Sequence, residues 1–314
     1  MKSLKILAAT VPLAFAATAA LADGETIAVF TKNQTNPYFQ TVRVGAEAAA
    51  KSLNAKVVNY IPTKPDSIPE QLSQIEDVIV KKPSAIVFIP VDYKAMVPGV
   101  EQINEAKIPV VNVTDRSAGG KFLAFVGADD YSLGLETGRY LLKEMGGKGN
   151  VVILEGVKGS LTNIDRVRGF NDAIKENKDV KLLATQPANY QRLQGLQVME
   201  NLMQSHPMAI GAIEALDGAN RKAKVVGING TKEAVDAIKA GKLLASGDYN
   251  GFLQGCIGTM VAIRAIRNEK IVSEVVLKPT VVNSSNYQPY DVPLESRACP
   301  TWAEAAAMET PKKN

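Results

Sequence analysis

The sequence predicts an α/β protein built as two doubly wound, parallel-sheet lobes. Three observations predict it. Short β-branched runs alternate with segments of helical period. The runs are apolar almost throughout, as strands buried on both faces must be. The alternation occurs twice, from Thr26 to about Asp115 and from about Leu123 to Gly247, and each set has the size of one lobe.

The first set contains strand runs at Thr26–Phe30, Lys56–Tyr60, Ala85–Ile89 and Pro109–Val113. Between them, residues 38–53 place Val42, Ala46, Ala49 and Leu53 on one helical stripe, and residues 70–80 place Leu72, Ile75, Val78 and Ile79 likewise. The second set has runs at Leu123–Val126, Asn150–Leu154, Val180–Thr185 and Lys224–Ile228, with a helix expected over 131–145. A further helix, Phe252–Arg267, precedes the β-rich stretch Ile271–Val282. The expected division is residues 23–114 with 250–279 for the first lobe and 115–249 with 280–314 for the second.

Residues 1–22 read as a secretory leader. Lys2 and Lys5 form a basic head, Ile6 to Leu21 an apolar stretch, and Ala20-Leu21-Ala22 a small-residue cleavage site. The mature chain is therefore expected in a bacterial periplasm. Without Lys2 and Lys5 the formal charge falls from +4 to +2, too little for a nucleic-acid surface. Cys256 and Cys299 lie far apart in a chain with a single histidine, so no zinc-type cluster is available and no metal or other cofactor is expected. An oxidising compartment permits a bridge between the two cysteines. Two separate thiols are the plainer expectation.

In open parallel sheets, ligands bind beyond the carboxyl ends of the strands. After the first run comes "TKNQTNPYFQ". Asn36 and Pro37 suit a helix start as N-cap and first residue. Tyr38 and Phe39 follow, aromatic faces that suit either a sugar ring or the core. Asp92, in "IPVDYKAM", suits paired hydroxyls or a local helix cap. Asp115 and Arg116 fall in a glycine-rich connection, where an ion pair is the plainer role. In the second set, Arg166 offers forked donors for paired oxygens. Tyr190 is a second stacking candidate, and Asn229 both donates and accepts. Tyr249 stands where the chain should cross back. No catalytic triad, P-loop or dinucleotide fingerprint appears, so an enzyme is not expected.

These residues stand in segments that resemble the periplasmic sugar-binding family of ABC importers that includes the ribose-binding proteins. The likeness runs through "NPYFQTVRVGAEAAAK", "IPVDYKAM", "IPVVNVTDR", "DRVRGF", "GLQVMENLM" and "VVGINGTKEAVDAIKAGKLLAS". It implies two lobes joined by a three-segment hinge that close on a sugar or polyol. A membrane permease then reads the closed, monomeric receptor. Carried over by position, the implied ligand-binding residues are Asn36, Tyr38, Phe39, Asp92, Arg116, Arg166, Tyr190, Asn229 and Tyr249. Asn229 stands where relatives often have Asp, and Tyr249 where they often have Gln. A receptor that presents its ligand for chemotaxis or signalling, or a binding-impaired variant, is the alternative. A lactose-repressor-type regulator would need a DNA-binding head where the leader stands.

One departure is local. In "NLMQSHPMAIGAIEALDGA", two helical stripes are separated only by His206 and Pro207. The resemblance implies a buried strand and a polar turn between them, roughly ten residues. A deletion near Pro207 is expected, leaving the second lobe one strand short and without the polar contact at that strand's end.

Overall fold

The computed structural model describes residues 24–158, 160–203 and 223–311. The expected leader and the join at His206 and Pro207 lie outside the described residues.

The first sheet is six-stranded and wholly parallel, in the order β2-β1-β3-β4-β5-β10. Its strands are β1 (Thr26–Phe30), β2 (Lys56–Tyr60), β3 (Ala85–Phe88), β4 (Val110–Val113), β5 (Phe125–Ala128) and β10 (Glu274–Leu277). Every residue of β3 and β4 is buried, which explains their unbroken apolar runs. Helices α1 (Pro37–Ser52), α2 (Ile68–Lys81), α3 (Val97–Glu105) and α8 (Gly251–Ile266) cover its faces.

Among the described residues, the second lobe contains two smaller sheets. One pairs β6 (Lys148–Glu155) with β7 (Asp179–Pro187) in parallel. The other has β8 (Val226–Ile228) parallel to β9 (Ala245–Asp248), with β11 (Thr280–Asn283) antiparallel at its edge. Its helices are α4 (Asp130–Glu144), α5 (Leu161–Lys175), α6 (Arg192–Met203) and α7 (Lys232–Lys239). A short last helix, α9 (Trp302–Ala307), ends the described chain.

Side-chain caps fix where the helices begin. Asn36, Ser67, Asp129, Ser160, Thr231 and Asn250 each accept a backbone N–H in the first turn. Close backbone approach fixes how they pack. A Cβ at Gly45 of α1 would lie 2.0 Å from the Phe252 carbonyl oxygen of α8, and one at Gly255 would lie 2.0 Å from that of Val42. The α4–α5 pair repeats the device: a Cβ at Gly134 would lie 2.1 Å from the Arg166 carbonyl oxygen, and one at Gly169 would lie 2.2 Å from that of Tyr131.

Three expectations are corrected. Strand β5 belongs to the first sheet, paired with β4 and β10, so the first crossing follows Ala128 rather than Thr114. The chain's end does not stay with the second lobe, because Ala305 of α9 lies in the core shared with α1 and α8. Cys256 and Cys299 are not separate thiols; they form a disulfide with Cα atoms 5.6 Å apart. The bridge fastens the returning tail to α8.

Candidate functional site

The site forms where the carboxyl ends of the strands in the two lobes face each other. Four of these ends carry a left-handed backbone on a residue other than glycine. Thr114 after β4 has φ 63°, Tyr190 after β7 has φ 57°, Asn229 after β8 has φ 111°, and Asn250 after β9 has φ 52°. For β-branched Thr114 this conformation is costly, and such strain concentrates where side chains must be aimed.

A stack of three groups makes the floor. Tyr38 lies in the first turn of α1, and its ring stacks on Tyr249 at 4.3 Å and 19°. The Arg166 guanidinium covers the Tyr249 ring at 4.4 Å. The Tyr38 hydroxyl bonds Thr114 Oγ1 at 3.1 Å and donates to Gln254 Oε1 at 3.2 Å. With that hydroxyl engaged, Tyr38 acts as a buried wall. Burial raises its phenol well above the ordinary range, so it stays neutral. Phe39 packs edge-on against it at 5.4 Å and belongs to the core.

Two buried ion pairs flank the stack. Arg166 Nε donates to Asp130 Oδ1 at 2.7 Å. Burial pushes the Asp130 carboxyl up to about 6, against the pull of Arg166, so the pair is ionised at neutral pH. Arg166 is itself buried, yet its Nη2 has no hydrogen-bond partner among the described residues. A buried cationic donor left unpaired is costly unless a ligand meets it. On the other side, Lys32 Nζ lies 2.9 Å from Asp115 Oδ2. The Thr162 hydroxyl of the second lobe donates to Asp115 Oδ1. Burial would raise the Asp115 carboxyl, but the Lys32 charge and the Thr162 bond outweigh it and hold it below its ordinary value.

The rim is polar and shared. Asn229 Nδ2 donates to Asn36 Oδ1 across the lobes at 3.3 Å, and Thr35 Oγ1 to Gln191 Oε1 at 3.3 Å. Tyr190 lies over Gly156, where a Cβ would meet its Cζ at 1.8 Å, so only glycine lets the ring lie there. Asn36, Arg166, Tyr190 and Asn229 all line one cavity of about 490 Å³.

Asn36, Tyr38, Arg166, Tyr190, Asn229 and Tyr249 thus converge, with Phe39 behind them. Asp92 and Arg116 do not. Asp92 Oδ1 accepts the backbone N–H groups of Lys94 and Ala95 at 2.8 and 2.7 Å, which makes it a local turn cap. Arg116 pairs with Glu274 and lies 3.6 Å over the Phe125 ring. Arg116 is itself exposed, and these two partners hold it away from the cluster. Lys32, Asp130 and Thr162 join the site without having been expected there. Lys32 and Asp130 each stand two residues beyond the end of a strand, so the strand-end rule would have reached both.

Residues 27–270 match the family model described as the periplasmic binding protein domain. The chain is similar to the ribose import binding protein of Haemophilus influenzae, 30% identical over 294 residues, covering 90% of this chain and 100% of that one. It is 28% identical to the D-allose-binding periplasmic protein of Escherichia coli K12, covering 86% of this chain and 94% of that one. Among solved structures, it is similar to an ABC transporter periplasmic solute-binding protein from Actinobacillus succinogenes with bound D-allose. The TM-score is 0.80 and the identity 31%, over 85% of this chain and 100% of that one. The Caulobacter myo-inositol binding protein bound to myo-inositol gives a TM-score of 0.77 at 26% identity, over 85% and 96% of the two chains.

Proposed function

The chain belongs to the periplasmic binding protein domain family, and from that premise we propose that it captures a sugar or sugar alcohol between its lobes for an ABC importer. The relatives named for ribose, D-allose and myo-inositol support that ligand class. A cleaved leader, a monomeric receptor and delivery to an inner-membrane permease belong to the same reading. The reading involves no catalytic step, in keeping with a family of binding proteins.

One observation carries it. Arg166 offers a buried Nη2, unpartnered among the described residues, beside an aromatic face, at the place where Asn36 and Asn229 of opposite lobes meet. A carbohydrate offers the matching chemistry, C–H faces for the rings and hydroxyls for charged donors. Asp115, held ionised by Lys32, accepts from hydroxyls on the opposite side. A ligand that touches both lobes favours the closed arrangement over the open one.

The test is thermal unfolding of the purified chain with ribose, allose, xylitol, myo-inositol and related polyols. A ligand at a hundred times its Kd stabilises by about 2.7 kcal/mol, a shift of several degrees. If none of the set moves the midpoint, the reading fails.

A further inference from the structure

Among the described residues the chain passes between the lobes four times. Three passages are the segments of a hinge: β5 to α4 through Asp129, β9 to α8 through Tyr249 and Asn250, and β10 to β11 through Lys278 and Pro279. The Asp129 N–H bonds the Leu277 carbonyl at 3.4 Å, so the first and third run side by side. The fourth passage is made by the tail that follows β11.

This tail is anchored on both lobes. On the second, Tyr287 and Tyr290 pack on the core of Ile238, Leu243 and Val282. Asp291 Oδ2 accepts from Lys239 Nζ at 2.6 Å, and its Oδ1 lies 3.4 Å from Lys232 Nζ, both on α7. On the first lobe, Leu294 packs against the core of α1 and α8, and Ala305 is buried in it. Cys299 is bonded to Cys256 of α8, and the Thr310 N–H donates to the Glu274 carbonyl of β10 at 2.8 Å. Between Asp291 and Leu294 stand only Val292 and Pro293, both exposed. Three Cα–Cα steps reach about 11 Å at most, and Pro293 fixes its own φ. Tyr290 also meets Asp248 at the end of β9 and Thr280 at the start of β11, so the tail crosses beside the second and third passages.

We propose that residues 291–294 are a strap across the hinge, locked at its first-lobe end by the disulfide, that limits how far the lobes open. Hinge closure is absorbed by a few residues that change their backbone angles. A further passage with two free residues, fastened on both sides, stops that motion once it is taut. The ligand-free chain is thereby held near its closed arrangement. A ligand that selects that arrangement then has less of the equilibrium to shift.

The test slackens the strap and leaves every anchor in place. Two, four or six Gly/Ser residues are inserted between Val292 and Pro293, each pair adding up to about 7 Å of reach. Insertions in exposed connections cost little stability. The control series carries the same insertions between Ser284 and Ser285, an exposed turn that precedes the second-lobe anchors, so it adds mass without slack. Small-angle scattering of the full chain without sugar reads the opening, so the result is independent of the ligand reading. The expected result is a radius of gyration that rises with insert length in the strap series, then levels off, and exceeds the matched control at each length. The two-residue insertion perturbs folding least and should already exceed its control. Equal radii in the two series would overturn the proposal.

Discussion

At the scale of single residues, the site's energetics turn on charges buried beside partners that only partly satisfy them. Replacing Arg166 by alanine leaves Asp130 buried without its cation, at a cost of about 3–5 kcal/mol. The expected outcome is a lower unfolding midpoint together with loss of any sugar-induced shift. Arg166→Lys should keep more stability than binding, because the forked donor geometry is lost while the charge stays. Calorimetric titration with the best polyol separates the two effects. Asp248, at the end of β9, behaves differently. Burial pushes its carboxyl up to about 6, so the folded state holds the proton more tightly than the unfolded chain does. Its contribution is complete below about pH 4 and is lost as pH rises through 6, on the order of 3 kcal/mol. Asp248→Asn should therefore raise the midpoint at pH 7.5 and lose that advantage by pH 4. An advantage that does not shrink on acidification would contradict this. The strand-end rule reached Asn36, Tyr38, Tyr190, Asn229 and Tyr249, because each stands where β-structure gives way to a turn or to the helix that follows, whereas Arg166 reaches the site from the second turn of α5. It went wrong at Asp92 and Arg116 because a local cap and a surface ion pair use the same residue types at the same offset.

At the scale of elements, helix boundaries and strand runs were legible because capping and hydrophobic period are local. Which sheet a buried strand joins is not local. β5 opens the second apolar series in sequence yet completes the first sheet, and nothing in "FVGA" distinguishes the two outcomes. Helix contacts are likewise set by backbone approach. Gly134→Ala would drive a methyl group into the Arg166 carbonyl and should cost roughly 2 kcal/mol or more. A methyl group at Gly195, inside α6, would meet nothing within 4 Å among the described residues. Gly195→Ala should therefore stabilise the chain by roughly 0.5–1 kcal/mol through helix propensity alone. Denaturant unfolding of both variants checks the contrast, and opposite signs are required.

At the scale of the whole molecule, the lobes meet around the site through polar contacts: Thr162 to Asp115, Asn229 to Asn36, and Thr35 to Gln191. Such seams part at small cost, and a bound polyol should hold them shut. Small-angle scattering should then give a smaller radius of gyration with ligand than without. Asn229→Ala should weaken that compaction. The repeated plan of the lobes was legible as a doubled alternation, but the bridge was not, since spacing does not say whether two distant thiols meet. That bridge has a topological consequence. Residues 256–299 form a closed covalent ring, and the ring runs through β10 in one lobe and β11 in the other. A protease that cuts the exposed turn at Ser284 or Ser285 opens the ring without freeing a fragment. The nicked protein should migrate as one piece on a non-reducing gel and as two after reduction.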